Sequence, residues 1–521
     1  MKKKVKFLII YILASWLFFI PKTSYCELSM TQKVFAGYEL AQDWDIITAE
    51  KLSADLLKEY PESGDVHFLK ARIEFLKGNY ERSEKILQRV GDNFKEVANF
   101  KKRVNATRQA TKKFISRETE HFILRFEEGP DEVLLLNAQE VLEQSYHVLG
   151  KILEYYPQDK ILIEIYPNRE PFSKVSPLSM QDILTSGTVA LCKYNRIMMI
   201  SPGSLVRGYN WMDTLSHEFV HYLLTKKSRN RLPLWMHEGI AKLLETRWRN
   251  NPEYMSPIME TILSGALKNN YRVELKDMMP SLAKLKTAKD VQLAYAEVST
   301  MMEYLAEKKG IKIFSQLLDD LSKGKSFDDS FLARVGTRLT SFQGKWETWA
   351  KKKELKYIPG VTALNKEFKN KNELEPEKDF KGMPTKRSQD LTFLGDILKS
   401  RNHYMAAILE YQKAKNESKT HSPVLSNKLA STYIQTRKYD KAELLLKESL
   451  EYYPDFHTTL SNLGELYFIS ERYNIAQKYL EKAADINPFN PFIHARLIDL
   501  YDRMGMLEKK KLQTQLFSFI D

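Results

Sequence analysis

The chain has 521 residues, 43% of them hydrophobic, 12% aromatic and 28% charged, with a formal net charge of +13. That length implies several domains, and the composition is that of folded globular proteins, which excludes an intrinsically disordered chain. The positive excess is modest for the size and does not point to a nucleic-acid partner.

The first residues read as an address. Lys2, Lys3, Lys4 and Lys6 precede an apolar stretch from Phe7 to Ile20, interrupted only by Ser15 and ended by Pro21. Ser24-Tyr25-Cys26 follows, with small residues at the two positions a signal peptidase reads. The pattern predicts a secretory signal peptide over 1–26, cleaved before Glu27, and an extracytoplasmic (periplasmic or secreted) mature protein. The alternative is a short uncleaved anchor, which would be the protein's one link to a membrane; the apolar core is short for a span. Cleavage removes five lysines and no acid, lowering the formal charge from +13 to +8, and leaves Cys192 as the only cysteine. The mature chain then holds no internal disulfide, and Cys192 reads as a small buried hydrophobe.

Helical hairpins are expected over 30–112, from Trp44, Ala49, Leu56, Leu57 and the stop at Pro61, then Phe68, Ala71, Phe75, Gly78, Tyr80 and Ile86. The pattern then changes. Glu120 to Phe126 and Lys160 to Tyr166 read as strands, Val133 to Leu153 as a helix, and Val189–Leu191 and Ile197–Ile200 as two more strands. Long helical segments run on to about Trp349. Strands first and helices later predict an α+β unit over 113–352 inside a mainly α chain.

The chemistry-bearing residues lie in that unit. Asn210 is placed to cap a helix with Asp213 reaching back to it, and the helix carries His217-Glu218-Phe219-Val220-His221. Histidines four apart project from one helical face, which supplies two nitrogen ligands for zinc at about 2 Å. Glu218 beside them can take the proton of a metal-activated water. After a basic loop comes Leu232-Pro233-Leu234-Trp235-Met236-His237-Glu238-Gly239-Ile240-Ala241. A second helix starting near Pro233 can project Glu238 back to the metal. Three protein ligands leave one position open, the mark of a catalytic site. His237 is the rival third ligand, although its direction favours a structural or hydrogen-bonding role. Trp235 reads as core.

The His-Glu-x-x-His motif and the later Trp-x-x-Glu-Gly-x-Ala motif, with sixteen residues between His221 and Glu238, resemble those of the gluzincin metallopeptidases (thermolysin- and aminopeptidase-like, clan MA). The resemblance covers roughly 115–350. It implies a zincin-type fold, one Zn²⁺ per chain held by His217, His221 and Glu238, and Glu218 as general base. It also implies an edge strand, Val189–Leu191 or Ile197–Ile200, that pairs with an extended substrate. Glu245, two helical turns past Glu238, would orient a ligand histidine, as in the aminopeptidase branch. Tyr295 would support the oxyanion; Tyr304 is the poorer candidate because its spacing fits a core face. Lys242 stands where the thermolysin branch has an aspartate, and Gly187-Thr188-Val189-Ala190 does not reproduce the aminopeptidase edge. An endopeptidase acting on a protein or peptide is therefore the expectation.

Residues 353–388 are rich in Lys, Glu, Asn and Pro and read as a polar linker. Beyond it Tyr433 and Tyr467, Tyr439 and Tyr473, Ala442 and Ala476, Leu446 and Leu480, and Pro454 and Pro488 are each 34 apart. This period closely resembles the tetratricopeptide repeat. Two units lie at about 424–457 and 458–491, a degenerate one with Tyr404 and Ala407 before them, and a capping helix through Leu497 and Tyr501 after them, within a repeat region of 389–521. The repeats imply a protein partner or a means of recruiting substrate. The competing expectation is an inactive envelope scaffold that binds through these repeats.

Overall fold

A computed structural model describes residues 29–520 except 92–94, 250–252, 280–281, 283–284, 286, 365, 370–382, 384 and 419. The expected leader lies outside the described residues. The protein is mainly helical with one small sheet, as its sequence patterning requires, and no described helix is long and apolar enough to cross a membrane.

The first helices are α1 (Met30–Gln42), α2 (Ile46–Glu59), α3 (Gly64–Leu76), α4 (Tyr80–Leu87) and α5 (Lys95–Ala110). Ser29 starts α1 with a capping box through Gln32, satisfying amides that a helix start leaves free. Phe68, Ala71, Phe75 and Tyr80 then build a core of their own with Val97 and Val104.

The sheet follows: β1 (Phe114–Glu118), β2 (Phe122–Glu127), β3 (Ile161–Tyr166), β4 (Ala190–Lys193) and β5 (Arg196–Ile200), in the order β1-β2-β3-β5-β4. The helix α6 (Leu135–Leu153) crosses between β2 and β3, which run parallel, whereas β4 and β5 form an antiparallel hairpin. Strand β1 has no counterpart in the sequence reading. It is an exposed edge of Phe-Ile-Ser-Arg-Glu with no buried residue, so the apolar alternation that marks a half-buried strand is missing.

The β4–β5 turn is Tyr194-Asn195, both with positive φ (57° and 59°), the combination a two-residue hairpin needs to match strand twist. The N-terminal helices hold this hairpin. Asn195 donates to the Leu76 carbonyl at 3.2 Å. Fully buried Arg196 pairs with fully buried Glu164 at 2.9 Å, and Glu164 also accepts from the Tyr80 and Tyr166 hydroxyls. The guanidinium lies over the rings of Phe75, Tyr80 and Tyr194. A buried charge is tolerated only with such partners. The hairpins therefore brace the sheet.

Helices α7 (Arg169–Val175) and α8 (Met180–Ser186) lie between β3 and β4 in the chain; after the sheet come α9 (Trp211–Ser228), α10 (Leu234–Leu244), α11 (Pro257–Lys268), α12 (Ala288–Lys309), α13 (Ile313–Ser322), α14 (Phe327–Val335) and α15 (Leu339–Ala350). Helix α9 packs Leu215, Phe219 and Leu223 into the main core, with the Phe219 ring 5.3 Å from that of Phe122. The repeats are four hairpins, α16 (Lys386–Ser400) to α23 (Leu507–Ser518). Small residues sit where their helices touch: a Cβ at Gly464 would lie 2.5 Å from Leu480, and one at Gly395 would lie 2.5 Å from Tyr411.

Two placements depart from a free module on a polar linker. The repeats dock on the start of α9: Trp211 donates to the Asp485 carbonyl at 2.8 Å, and a Cβ at Gly208, which has φ of +64°, would meet the Ile486 carbonyl at 2.3 Å. The described part of 353–369 is a strap laid on the sheet unit. Phe368 bridges to Leu205, Lys369 N–H bonds the Ser204 carbonyl, and Arg207 pairs with Glu367 at 2.7 Å.

Candidate metal centre

Helices α9 and α10 build the site. Asn210 does stand at the N-cap of α9, but its side chain does not cap the amides. It donates to Asp213 at 2.6 Å instead, and Asp213 also accepts from Trp248 and Arg249. The expected reach-back is thus between side chains, and Trp211, held by the repeats, fixes the helix start.

Pro233 begins the turn into α10, which lies close against α12. The approach depends on Gly239, where a Cβ would lie 2.5 Å from the Val298 carbonyl; only glycine permits such backbone proximity. This places Glu238 opposite the two histidines. The His217 and His221 Nε2 atoms are 3.1 Å apart, and the Glu238 Oε2 atom is 3.6 Å from the first and 3.5 Å from the second. Ligands about 2.0–2.1 Å from a tetrahedral centre are separated by about 3.3 Å, so the spacing fits one ion. Glu238 Oε2 is buried without a hydrogen-bond partner, a costly arrangement unless a cation is its partner. Burial opposes the charge on Glu238, but the facing imidazoles outweigh it and hold its carboxyl well below the usual range.

Each histidine is oriented through its other nitrogen. His217 Nδ1 is 2.9 Å from Glu245, which also pairs with Lys242. His221 Nδ1 is 3.3 Å from His237 Nδ1. His237 therefore sits on the far side of His221, away from the triad, and burial pushes its pKa down to about 3, leaving it neutral. Such partners set the tautomer that presents the metal-facing lone pair. The His237 contact went beyond the sequence reading, which left its partner unnamed.

Glu218 is buried beside the triad and accepts a hydrogen bond from the Cys192 backbone amide; desolvation raises its pKa. Cys192 lies on β4, the sheet edge next to α9. Of the two strands considered as a substrate edge, Ile197–Ile200 is paired on both sides by β3 and β4, so only β4 has a free edge. Burial and the Glu238 and Glu218 charges raise the pKa of the Tyr295 hydroxyl far above its ordinary value, so it stays a donor beside the site. Tyr304 instead packs on Phe342 and Trp349, and Trp235 packs on Phe327.

A His-x-x-x-His helix facing a carboxylate on the next helix, with a free sheet edge alongside, defines a metallopeptidase-like site. Residues 158–352 match the Peptidase MA superfamily, whose members are typically metal-dependent, and residues 425–456 and 457–490 match the tetratricopeptide repeat. The chain carries a peptidase domain of clan MA joined to tetratricopeptide repeats. A comparison with curated proteins found no match. Among solved structures the chain is similar to native yeast LTA4 hydrolase, at 12% identity over 78% of this chain and 66% of that one, with a TM-score of 0.30. It is similar to the APC/C hetero-tetramer Cut9-Hcn1, at 9% identity over 93% and 78%, with a TM-score of 0.26. It is also similar to yeast Tom70, at 12% identity over 94% and 90%, with a TM-score of 0.20. TM-scores this low leave the functional reading to rest on the site.

Proposed function

We propose that the protein is an exported zinc-dependent endopeptidase. The observation that carries this reading is the convergence of His217, His221 and Glu238 within 3.6 Å of one another, with the Glu238 oxygen buried and unpartnered. These three residues would hold one zinc, which supplies Lewis acidity at the scissile carbonyl and acidifies water. Glu218 takes the proton of the attacking water and passes it to the leaving amine; its depressed solvation brings its basicity nearer to neutral pH. Tyr295 donates to the oxygen that gains charge. The free edge of β4 holds the substrate backbone extended. Glu245 and His237 keep the two ligand rings in register.

The full mature chain should hydrolyse members of an unstructured peptide library, lose that activity to a chelator, and regain it with one equivalent of zinc. Stoichiometric zinc with no hydrolysis across the library would sink the peptidase reading in favour of a scaffold. Export is tested separately. The Lys-rich start and apolar core predict an intact mass for native protein that begins at Glu27; a retained Met1 segment would mean an anchored form.

A further inference from the structure

Three rungs join α9 to α10 and the turn that follows it. Asp213, His217 and His221 are four residues apart on α9, so they share one face of the helix. Their partners come in reverse chain order. His221 Nε2 faces Glu238 Oε2 at 3.5 Å, His217 Nδ1 meets Glu245 Oε2 at 2.9 Å, and Asp213 Oδ1 accepts from Trp248 Nε1 at 3.0 Å. Two of the rungs contain the metal-facing histidines. The third contains no ligand, yet Asp213 is only 5% exposed and accepts further hydrogen bonds from Asn210 at 2.6 Å and Arg249 at 3.0 Å. The bond from Arg249 is of the strong, charge-assisted kind. Asp213 thus closes the ladder at the end where α9 begins.

The repeats grip that same end. Trp211, two residues before Asp213, is fully buried, and its indole N–H donates at 2.8 Å to the Asp485 carbonyl, near the end of α21 (Tyr473–Ile486). The ring of Phe489, just past α21, lies 2.9–3.0 Å from the Cβ position at Gly203. Phe489, Leu516 and Ile520 also pack against the main core of the peptidase domain. The join is a packed contact, not a tether, and close-packed interiors transmit displacement. A shift of Trp211 carries Asp213 with it, and a shift of Asp213 acts on Trp248, three residues past Glu245.

We propose that the repeat array is a working part of the metal centre, with Trp211 and Asp213 as positioning residues: the repeats' hold on Trp211, passed to the α10 side through the Asp213–Trp248 bond, sets the spacing of the two helices that carry the ligands. This rests on the zinc reading given above. Both residues act through His217, His221 and Glu238, whose separations of 3.1–3.6 Å have to be kept for one ion. The repeats are then more than a recruiting surface.

The test uses the full mature chain with Trp211→Phe, Trp248→Phe, both together, and Phe489→Leu on the repeat side. Phenylalanine keeps an aromatic ring in place and removes the N–H donor. Trp346→Phe is the matched control, because that indole is also fully buried and donates to Thr300 Oγ1 at 3.2 Å, between α15 and α12, neither of which carries a metal ligand. Zinc affinity is read by chelator competition and ligand geometry by the visible bands of cobalt-loaded protein, alongside the melting midpoint and kcat and KM on one peptide. Trp211→Phe and Trp248→Phe should each weaken zinc by about tenfold, the low end of what loss of an orienting partner costs. They should also alter the cobalt bands and lower kcat with little change in KM. The double variant should be scarcely weaker than either single one, since both cut the same chain of contacts. Phe489→Leu should act in the same direction, and it decides together with Trp248→Phe should Trp211→Phe not fold. Trp346→Phe should lower the melting midpoint and leave zinc affinity, cobalt bands and kcat as in wild type. Zinc affinity and cobalt bands unchanged in the folded Trp211, Trp248 and Phe489 variants, or changed as much by Trp346→Phe, overturn the proposal and leave the zinc reading intact. A wild type that takes up neither metal overturns both. The metal readouts decide even where no peptide is cleaved.

Discussion

Replacing Glu218 by Gln is expected to leave fold and zinc content unchanged and to lower peptide hydrolysis by about 10²–10⁴-fold, the usual contribution of a general base. The side chain is buried beside the triad and is held by the Cys192 amide. Glutamine keeps the shape and can still accept that hydrogen bond through its carbonyl oxygen, but it cannot take a proton from water. His217, His221 and Glu238 are not disturbed, so the metal should stay. Zinc content, circular dichroism and initial rates on one good peptide, measured on the same preparation, decide the matter. A Glu218→Gln protein as active as wild type would remove Glu218 from the mechanism even if the protein is an enzyme.

Replacing Glu238 by Ala should have the larger effect, because it removes a ligand and not only a base. Alanine is the best helix former, so α10 should persist. Two imidazoles remain, and zinc affinity should fall by more than about 100-fold, with activity lost at ordinary zinc concentrations. His237→Ala is the informative control. His237 lies against the far nitrogen of His221, away from the metal-facing atoms, and loss of such an orienting partner costs about 10–100-fold in affinity. Competition of each variant with a chromophoric chelator gives the ranking directly. If His237→Ala strips the metal and Glu238→Ala does not, the third ligand has been misassigned.

How far these residues could be read before folding depends on the range of the interactions. The His217–His221 pair is a local matter: a four-residue spacing on a helix puts two rings on one face whatever surrounds them. The 34-residue period of the repeats is equally local, since each unit meets only its neighbours, and the paired positions Ala442 and Ala476 are indeed both fully buried. Glu238 was legible because Pro233 marks a helix start and a short loop limits where that helix can go.

Contacts that span long stretches of chain were not legible. Nothing in the sequence marks Arg196 and Glu164 as partners, and only the parallel pairing of β3 with β5, with Tyr80 arriving from the N-terminal helices, makes them a buried pair. Strand β1 forms because β2 offers it a partner, not because its residues alternate. The choice of β4 as the free edge follows from strand order, which hydrophobic patterning cannot specify because both strands of a hairpin look alike. Polar composition made 353–388 look like a spacer, yet backbone hydrogen bonds to Ser204 and Val206 fasten its described part to the sheet unit. The sequence by itself pointed to the helix that carries the histidine pair, to the carboxylate that faces it and to the repeats that follow, because each is set by spacing over short stretches of chain. Tertiary structure alone decided that the N-terminal helices brace the β4–β5 hairpin, that the repeats hold Trp211, and that the described part of 353–369 is fastened to the sheet unit. Each of those joins residues dozens to hundreds of positions apart, where no local period carries a signal.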